Sequence, residues 1–275
     1  MSIHQVDEKM DVAMNVAIEA AKAGGKVLLE YFREGAYSTR AKRDTSLQTT
    51  ADVSSEREIL QIIQRAFPKH SINSEERGLL PSTSSEFQWL VDPLDGTENF
   101  VLGIPYFSSS IALCRNNKPE IAVVYNPFTE ELYSAIKGEG AKLNGNPLRP
   151  ARDVTLRGCR AFFIPDFDTK RQKRTAHFRD ELYMQCRRLL DTWSPALDWC
   201  LVASGKVDLV VALENTSIRP DAGTLILEEA GGIVTDFGGN PFTNQNSGRI
   251  VGCSSEVLHR QFLQFSKEVY FNDGN

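Results

Sequence analysis

The chain has 275 residues, 41% of them hydrophobic and 24% charged, with a formal net charge of −5. That is enough chain to bury a sizeable core in one large domain or two packed halves. The acidic balance argues against general nucleic-acid binding, which wants a basic face. Five scattered cysteines without CxxC spacing argue against a disulfide framework or a zinc site, so reduced buried thiols are expected. No apolar run approaches the roughly 20 residues of a membrane span. The opening MSIHQVDEKMDV lacks the apolar core of a signal peptide, and the expectation is a cytoplasmic protein with no membrane partner.

Residues 8–34 read as a long helix. Val12, Val16, Ala20, Val27 and Tyr31 recur at near-helical spacing, with Gly24-Gly25 expected to interrupt it. An extended segment then leads into a second helix whose apolar face is Ile59, Leu60, Ile62, Ile63 and Phe67. Ser55 with Glu58 has capping-box spacing there, and Asp52 reads, on residues alone, as a plain cap. In SINSEERG the adjacent Glu75 and Glu76 would point to opposite faces of a strand. The polar LLPSTSSEFQ is a surface connection.

The stretch WLVDPLDGTENF begins as a buried strand and ends on two acids three residues apart, Asp92 and Asp95. Pro93 between them removes an amide donor. Gly96 permits a tight turn or a close backbone approach to a ligand. Two carboxylates and free amides at a strand's end can hold divalent cations and a phosphate beside them, or form an acidic surface turn. FSSSIALC and EIAVVYNPFTEELYSAIKGEGAKLNG alternate strand patterns with turn signals, predicting an antiparallel meander. Beyond residue 150, CRAFFIP predicts a strand. Lys170, Arg171, Lys173 and Arg174 read as a solvated loop, or as an arm for a second phosphate. ELYMQCRRLLD predicts a helix, and SPALDWCLVASGKVDLVVAL a helix, a stop at Gly205 and a strand. RIVGCS and VLHRQFLQFSKEV close the chain as strand and helix. His4, His70, His177 and His259 lie outside every site segment.

DPLDGTENF resembles the signature of the inositol monophosphatase family, Mg²⁺-dependent and commonly lithium-sensitive phosphatases of small phosphoesters. TTADVSSE, the Glu75-Glu76 pair and EEAGGIVTDFGGNP are similar to further segments of that family. The likeness runs over roughly residues 8 to 262. It implies a layered αβαβα sandwich, an α+β or α/β fold of the inositol monophosphatase and fructose-1,6-bisphosphatase type. The two halves would be about 1–149 and 150–275, and the chain would form a homodimer.

Carried over residue by residue, the resemblance makes Glu75, Asp92, the Leu94 carbonyl, Asp95 and Asp221 ligands of two or three Mg²⁺ ions. Asp52, Glu76 and Thr97 would orient the attacking water, and the amides near Gly96 and Thr97 would hold phosphate oxygens. Ser194, Ala196, Glu214 and Arg219 would lie on the substrate side. Lys42 falls in a variable loop where the family has a lysine near the site. Two departures stand out. Trp193 and Pro195 replace the usual Gly and Ala. The ungapped position of the second-metal aspartate holds Arg219, and Asp221 follows two residues later; Glu214, seven before Asp221, supports Asp221 as the ligand. The alternative is that Arg219 has replaced the ligand and itself holds phosphate.

The expected activity is hydrolysis of inositol monophosphate or a related small polyol phosphate by in-line attack of metal-activated water. Bound metal would lower the pKa of that water and stabilise the leaving oxygen. No GxSxG motif supports a covalent phosphoenzyme. Alternatives within the superfamily are phosphatases of 3′-phosphoadenosine 5′-phosphate, fructose 1,6-bisphosphate or histidinol phosphate. A catalytically weak relative that binds phosphate ligands or a protein partner is the alternative outside them. The expected partner is a small phosphate ester, with no nucleic acid.

Overall fold

The computed structural model describes residues 3–42, 46–82, 86–151, 154–165, 172–213, 221–242 and 248–271. In chain order the elements are α1 (Ile3–Glu34), β1 (Thr39–Ala41), β2 (Leu47–Thr49), α2 (Thr50–Ala66), β3 (Ser71–Ser74), β4 (Gly78–Leu80), β5 (Phe87–Asp95), α3 (Thr97–Leu102), β6 (Ser108–Arg115), β7 (Lys118–Asn126), β8 (Glu131–Ile136), β9 (Gly140–Leu143) and β10 (Asn146–Pro147). The second half adds β11 (Arg160–Pro165), α4 (Lys173–Gln185), β12 (Arg188–Leu190), α5 (Pro195–Ala203), β13 (Leu209–Leu213), α6 (Asp221–Glu229), β14 (Ile233–Asp236), β15 (Arg249–Cys253) and α7 (Glu256–Ser266).

The strands form two large sheets and a β1–β2 hairpin. The eight-stranded sheet has the order β10-β9-β8-β7-β6-β5-β3-β4, and the five-stranded sheet β12-β11-β13-β15-β14. The run β5 to β10 is the predicted antiparallel meander, and only the β3–β5 pairing in that sheet is parallel. Side-chain alternation along a strand sets the layers. On β7, Ile121 and Val123 join the cluster under α1 and α2, while Ala122 and Val124 join the cluster shared with α5 and α6. On β13, Val210 and Ala212 face α5 and α6, while Leu209, Val211 and Leu213 face α7 and α4. Helices, sheet, helices, sheet, helices therefore follow in five layers, the expected αβαβα sandwich.

α1 runs unbroken through Gly24-Gly25, contrary to the expected interruption. The glycines serve approach rather than bending. A Cβ on Gly24 would lie 2.6 Å from Ile59 Cδ1, and one on Gly25 2.7 Å from Tyr125 Cδ1. With buried Ala13, Ala17, Ala20 and Ala21, they make a small-residue seam that lets α1 lie close to α2 and β7. The start of α2 also differs from expectation. Thr49, not Ser55, is the N-cap, and Asp52 closes the box on the Thr49 amide. Ser55 instead sits inside the helix and donates to the Pro93 carbonyl at 3.1 Å.

The helix expected over ELYMQCRRLLD ends at Gln185, and Arg188–Leu190 is a short strand parallel to β11. Leu189 packs into the outer core from that strand. Lys173 and Arg174 lie in the first turn of α4, where the Arg174 guanidinium stacks 3.9 Å from the Tyr270 ring. The basic run is thus helical and packed at its described end; Lys170 and Arg171 lie outside the described residues. α5, the Gly205 turn (φ +72) and β13 match expectation. Trp199 of α5 fills the centre of the molecule, and Gly223 and Gly252 leave room for it. Their Cβ atoms would come within 2.5 and 2.4 Å of its side chain. All five cysteines are free, and all but Cys186 are buried.

Candidate active site

β5 lies between β6 and β3 in the eight-stranded sheet, and its pairing breaks where the site begins. The ladder to β6 shifts register between Asp92 and Asp95, as a bulge re-aims side chains near functional sites. The Pro93 carbonyl accepts the hydroxyls of Ser55 and Ser109, and the Leu94 amide donates to Asp92 Oδ1 at 3.1 Å. Gly96 takes a left-handed conformation (φ 92), and a Cβ there would lie 3.0 Å from the Tyr106 carbonyl. Only glycine suits both constraints. Thr97 then opens α3, its hydroxyl 3.1 Å from the Leu94 carbonyl and 3.3 Å from Asp52 Oδ1. Asp52 is therefore both the cap partner of α2 and a neighbour of Thr97.

β3 delivers the second pair of acids. The Glu75 amide bonds the Val91 carbonyl, which fixes the turn beside β5. Lys42 bridges both glutamates, its ammonium 2.7 Å from Glu75 Oε1 and 2.8 Å from Glu76 Oε1. Gln48 also donates to Glu76. Lys42 and Gln48 come from the β1–β2 hairpin, so the hairpin is tied to the acids. Nothing in the residue pattern around Gln48 singles it out.

Asp95 is held from the other side of the molecule. Ser194 Oγ donates to Oδ2 at 2.5 Å, the Ala196 amide lies 3.2 Å from both carboxylate oxygens, and Ser108 Oγ is 3.3 Å away. Ser194 is the N-cap of α5, so Asp95 caps that helix from a distant strand. Asn99 adds a second tie, donating to the Tyr106 and Thr192 carbonyls. Asp198 of α5 accepts from Tyr106 and Thr192, both outside that helix. Asp221 is buried at the first residue of α6, which packs on α5 through Gly223 and Trp199. Glu214 and Arg219 lie outside the described residues.

The electrostatics are those of crowded acids. Burial pushes Asp52 up to about 7 against its bonds from Thr49, with the Glu76 and Glu75 charges adding to the rise. Burial likewise raises Asp95 to about 6, opposed by the Ser194, Ala196 and Ser108 donors. Asp92 is raised well above the usual range by burial and by the charges of Glu75 and Asp95. Burial alone would lower Lys42, but the attraction of Glu75 and the bonds to both glutamates hold its ammonium above the ordinary lysine range.

Buried carboxylates that raise one another want a cation. Their oxygens are the hard donors that magnesium prefers, so the donor chemistry fits that ion. Among the described residues, however, no three His, Cys, Asp or Glu side chains stand ready to hold a metal as placed. Lys42 occupies Glu75, and α5 engages Asp95. The structure thus gathers Asp52, Glu75, Glu76, Asp92, Asp95 and Thr97 around the end of β5, with Ser194 and Ala196 joined through Asp95.

A strand-end acid cluster inside a five-layer sandwich is the setting of one phosphatase class, and the chain belongs to it: residues 9–269 match the sequence model of the inositol monophosphatase family. Among similar proteins, the Nus factor SuhB of Haemophilus influenzae is 38% identical over 254 residues, spanning 90% of this chain and 94% of that one. The inositol monophosphatase structure from Anabaena shares 31% identity at a TM-score of 0.81, over 95% of this chain and 97% of that one. The extragenic suppressor protein suhB from Bartonella henselae shares 29% at a TM-score of 0.85, over 94% and 99%.

Proposed function

We propose that the chain is a Mg²⁺-dependent phosphomonoesterase acting on inositol monophosphate or a related small polyol phosphate. The observation that carries this reading is the convergence of Asp92, Asp95, Glu75, Asp52 and Thr97 at the end of β5. Glu75, Asp92, the Leu94 carbonyl, Asp95 and Asp221 would hold the ions, which supply a Lewis acid and an activated water when bound. Asp52, whose Oδ1 accepts the Thr97 hydroxyl at 3.3 Å, is placed to take a proton from water through that hydroxyl. Glu76, held by Lys42 and Gln48, positions that neighbourhood. The Gly96 turn offers backbone amides to phosphate, and Ser194 and Ala196 place the first turn of α5 beside the same carboxylate.

The test is phosphate release from inositol 1-phosphate, fructose 1,6-bisphosphate, 3′-phosphoadenosine 5′-phosphate and histidinol phosphate, with and without Mg²⁺. Turnover of one substrate, dependent on the metal and lost in Asp221→Asn, supports both the activity and Asp221 as ligand. Turnover that survives Asp221→Asn sends the second-site role to Arg219. The homodimer is part of the same proposal. Asn99 ties α3 to Thr192, so the exposed Leu102, Ile104 and Trp193 lie on neighbouring segments, an apolar group that a second copy would cover. Light scattering that gives the mass of a monomer would contradict it.

A second reading is a regulatory, partner-binding role with weak catalysis. Relatives carry the name Nus factor, and that name stands against the expectation of no nucleic-acid partner. The observation favouring it here is that Lys42 and α5 already satisfy Glu75 and Asp95. Failure of every substrate in the panel would favour this reading over the first.

A further inference from the structure

Glu75 and Glu76 sit on a short loop whose amides find their acceptors on other elements. β3 ends at Ser74 and β4 begins at Gly78, and these two residues pair across the base of the loop. Glu75, Glu76 and Arg77 alone connect them. An amide taken out of water needs an acceptor. The Glu75 amide takes the Val91 carbonyl of β5 at 3.0 Å. The Glu76 and Arg77 amides both donate to a single atom, Glu56 Oε1 of α2, at 3.2 and 3.1 Å. The Ser74 hydroxyl donates to that same oxygen. Glu56 Oε2 pairs with Arg77 Nε at 3.1 Å.

Glu56 is 0% exposed. A carboxylate buried that completely is costly unless donors and charge compensate it. Here the compensating groups named above all belong to residues 74–77, the loop and its base. The helix that carries Glu56 also reaches the other acids. Asp52 lies one turn earlier on α2, at the i, i+4 spacing that puts two side chains on one face. Ser55 donates to the Pro93 carbonyl, inside the irregular stretch between Asp92 and Asp95.

We propose that Glu56 is a positioning residue of the acid cluster. By gathering the Ser74 hydroxyl and the Glu76 and Arg77 amides, it sets where Glu75 and Glu76 present their carboxylates. It thereby sets the affinity of the cluster for a divalent cation. The inference rests on the reading of the cluster as a metal site, and it adds a residue that touches neither metal nor substrate. Outer partners of this kind tune a metal site by orienting its ligands.

The test uses Mn²⁺, an oxygen-preferring stand-in for Mg²⁺, with the free ion followed by EPR on the full chain without substrate. Glu56→Gln keeps the shape of the side chain but has one acceptor end and one donor end. Either the loop amides or the Arg77 guanidinium then meet a donor. Mn²⁺ affinity should fall about tenfold or more. In the metal-free protein the Glu76 and Arg77 amides should exchange hydrogen several-fold faster than in wild type, read by NMR. Ile63→Val, a core truncation about two turns further along α2, controls for lost stability and should change neither readout. If Glu56→Gln does not fold, Arg77→Gln removes the partner of Oε2 from a half-exposed side chain, and a severalfold loss of affinity is expected. Wild-type affinity or unchanged amide exchange in the variant, or an equal loss in Ile63→Val, would overturn the inference and leave the metal reading standing. Wild type that binds no Mn²⁺ would overturn that reading and the inference with it.

Discussion

Asp95 does two things with one carboxylate: it caps α5 and it faces the other acids. Ser194→Ala removes the shortest of its donors and leaves a buried carboxylate less satisfied. The expected cost is about 1–3 kcal/mol, read as a lower urea midpoint at unchanged slope. An unchanged midpoint would mean that Ser194 does not hold Asp95. None of this contact is readable along the chain, because Ser194 and Asp95 are 99 residues apart. The acids themselves were legible, since DPLDGT compresses five site residues, Asp92, Leu94, Asp95, Gly96 and Thr97, into one turn. Lys42 was legible only as a position; its bridge between Glu75 and Glu76 depends on how a hairpin folds back.

A second residue prediction concerns His70. Its ring stacks between Phe67 and Phe87, and Trp89 Nε1 donates to its Nδ1 at 3.1 Å. That nitrogen must stay unprotonated to accept. Burial lowers the His70 pKa below the ordinary value of 6.5. A depressed histidine contributes stability in full above that value and loses it as pH falls below it. Thermal melting of the wild type should therefore decline below pH 6.5 more steeply than that of His70→Gln. Parallel curves would contradict the assignment.

At the scale of elements, Gly24 separates two readings of glycine in a helix. By propensity alone, Gly24→Ala should stabilise α1 by about 1 kcal/mol. By packing, the new methyl meets Ile59 and Ser55 at under 3 Å, and overpacking costs about 1–3 kcal/mol. The seam is expected to win, giving a lower melting temperature, and a rise would show that α1 and α2 move apart freely. The same competition explains which elements were legible. Turn signals such as Asn116-Asn117 and Asn144-Gly145 act locally through left-handed backbone, and the meander they bound is there. Gly24-Gly25 look identical as punctuation but answer to neighbours distant in sequence. β12 was missed because its residues pair with a strand formed earlier, not with a near neighbour.

At the scale of the whole molecule, the five layers came from the family resemblance; periodicity alone supplied the elements without their stacking. The acid cluster gives the assembled protein a distinctive pH response. Asp52 rises to about 7 and Asp95 to about 6. A carboxylate raised on folding favours the folded state below its unfolded value near 3.8 and loses that contribution as pH rises through the folded value. A cation offsets the repulsion once the acids ionise. The melting-temperature gain on adding Mg²⁺ should thus be larger at pH 8 than at pH 5. An equal gain at both would place the ion elsewhere.

On the proposed reading, the acids at the end of β5 would hold a metal that activates water against a phosphate ester. The most direct measurement is the initial rate of phosphate release from inositol 1-phosphate, with and without Mg²⁺, by wild type and Asp92→Asn. Release is expected only from wild type with the metal, with a fall of at least about a hundredfold in the variant, since loss of even an outer partner of a metal ligand costs up to that much. Equal rates in the two proteins, or release by wild type that ignores Mg²⁺, would contradict it.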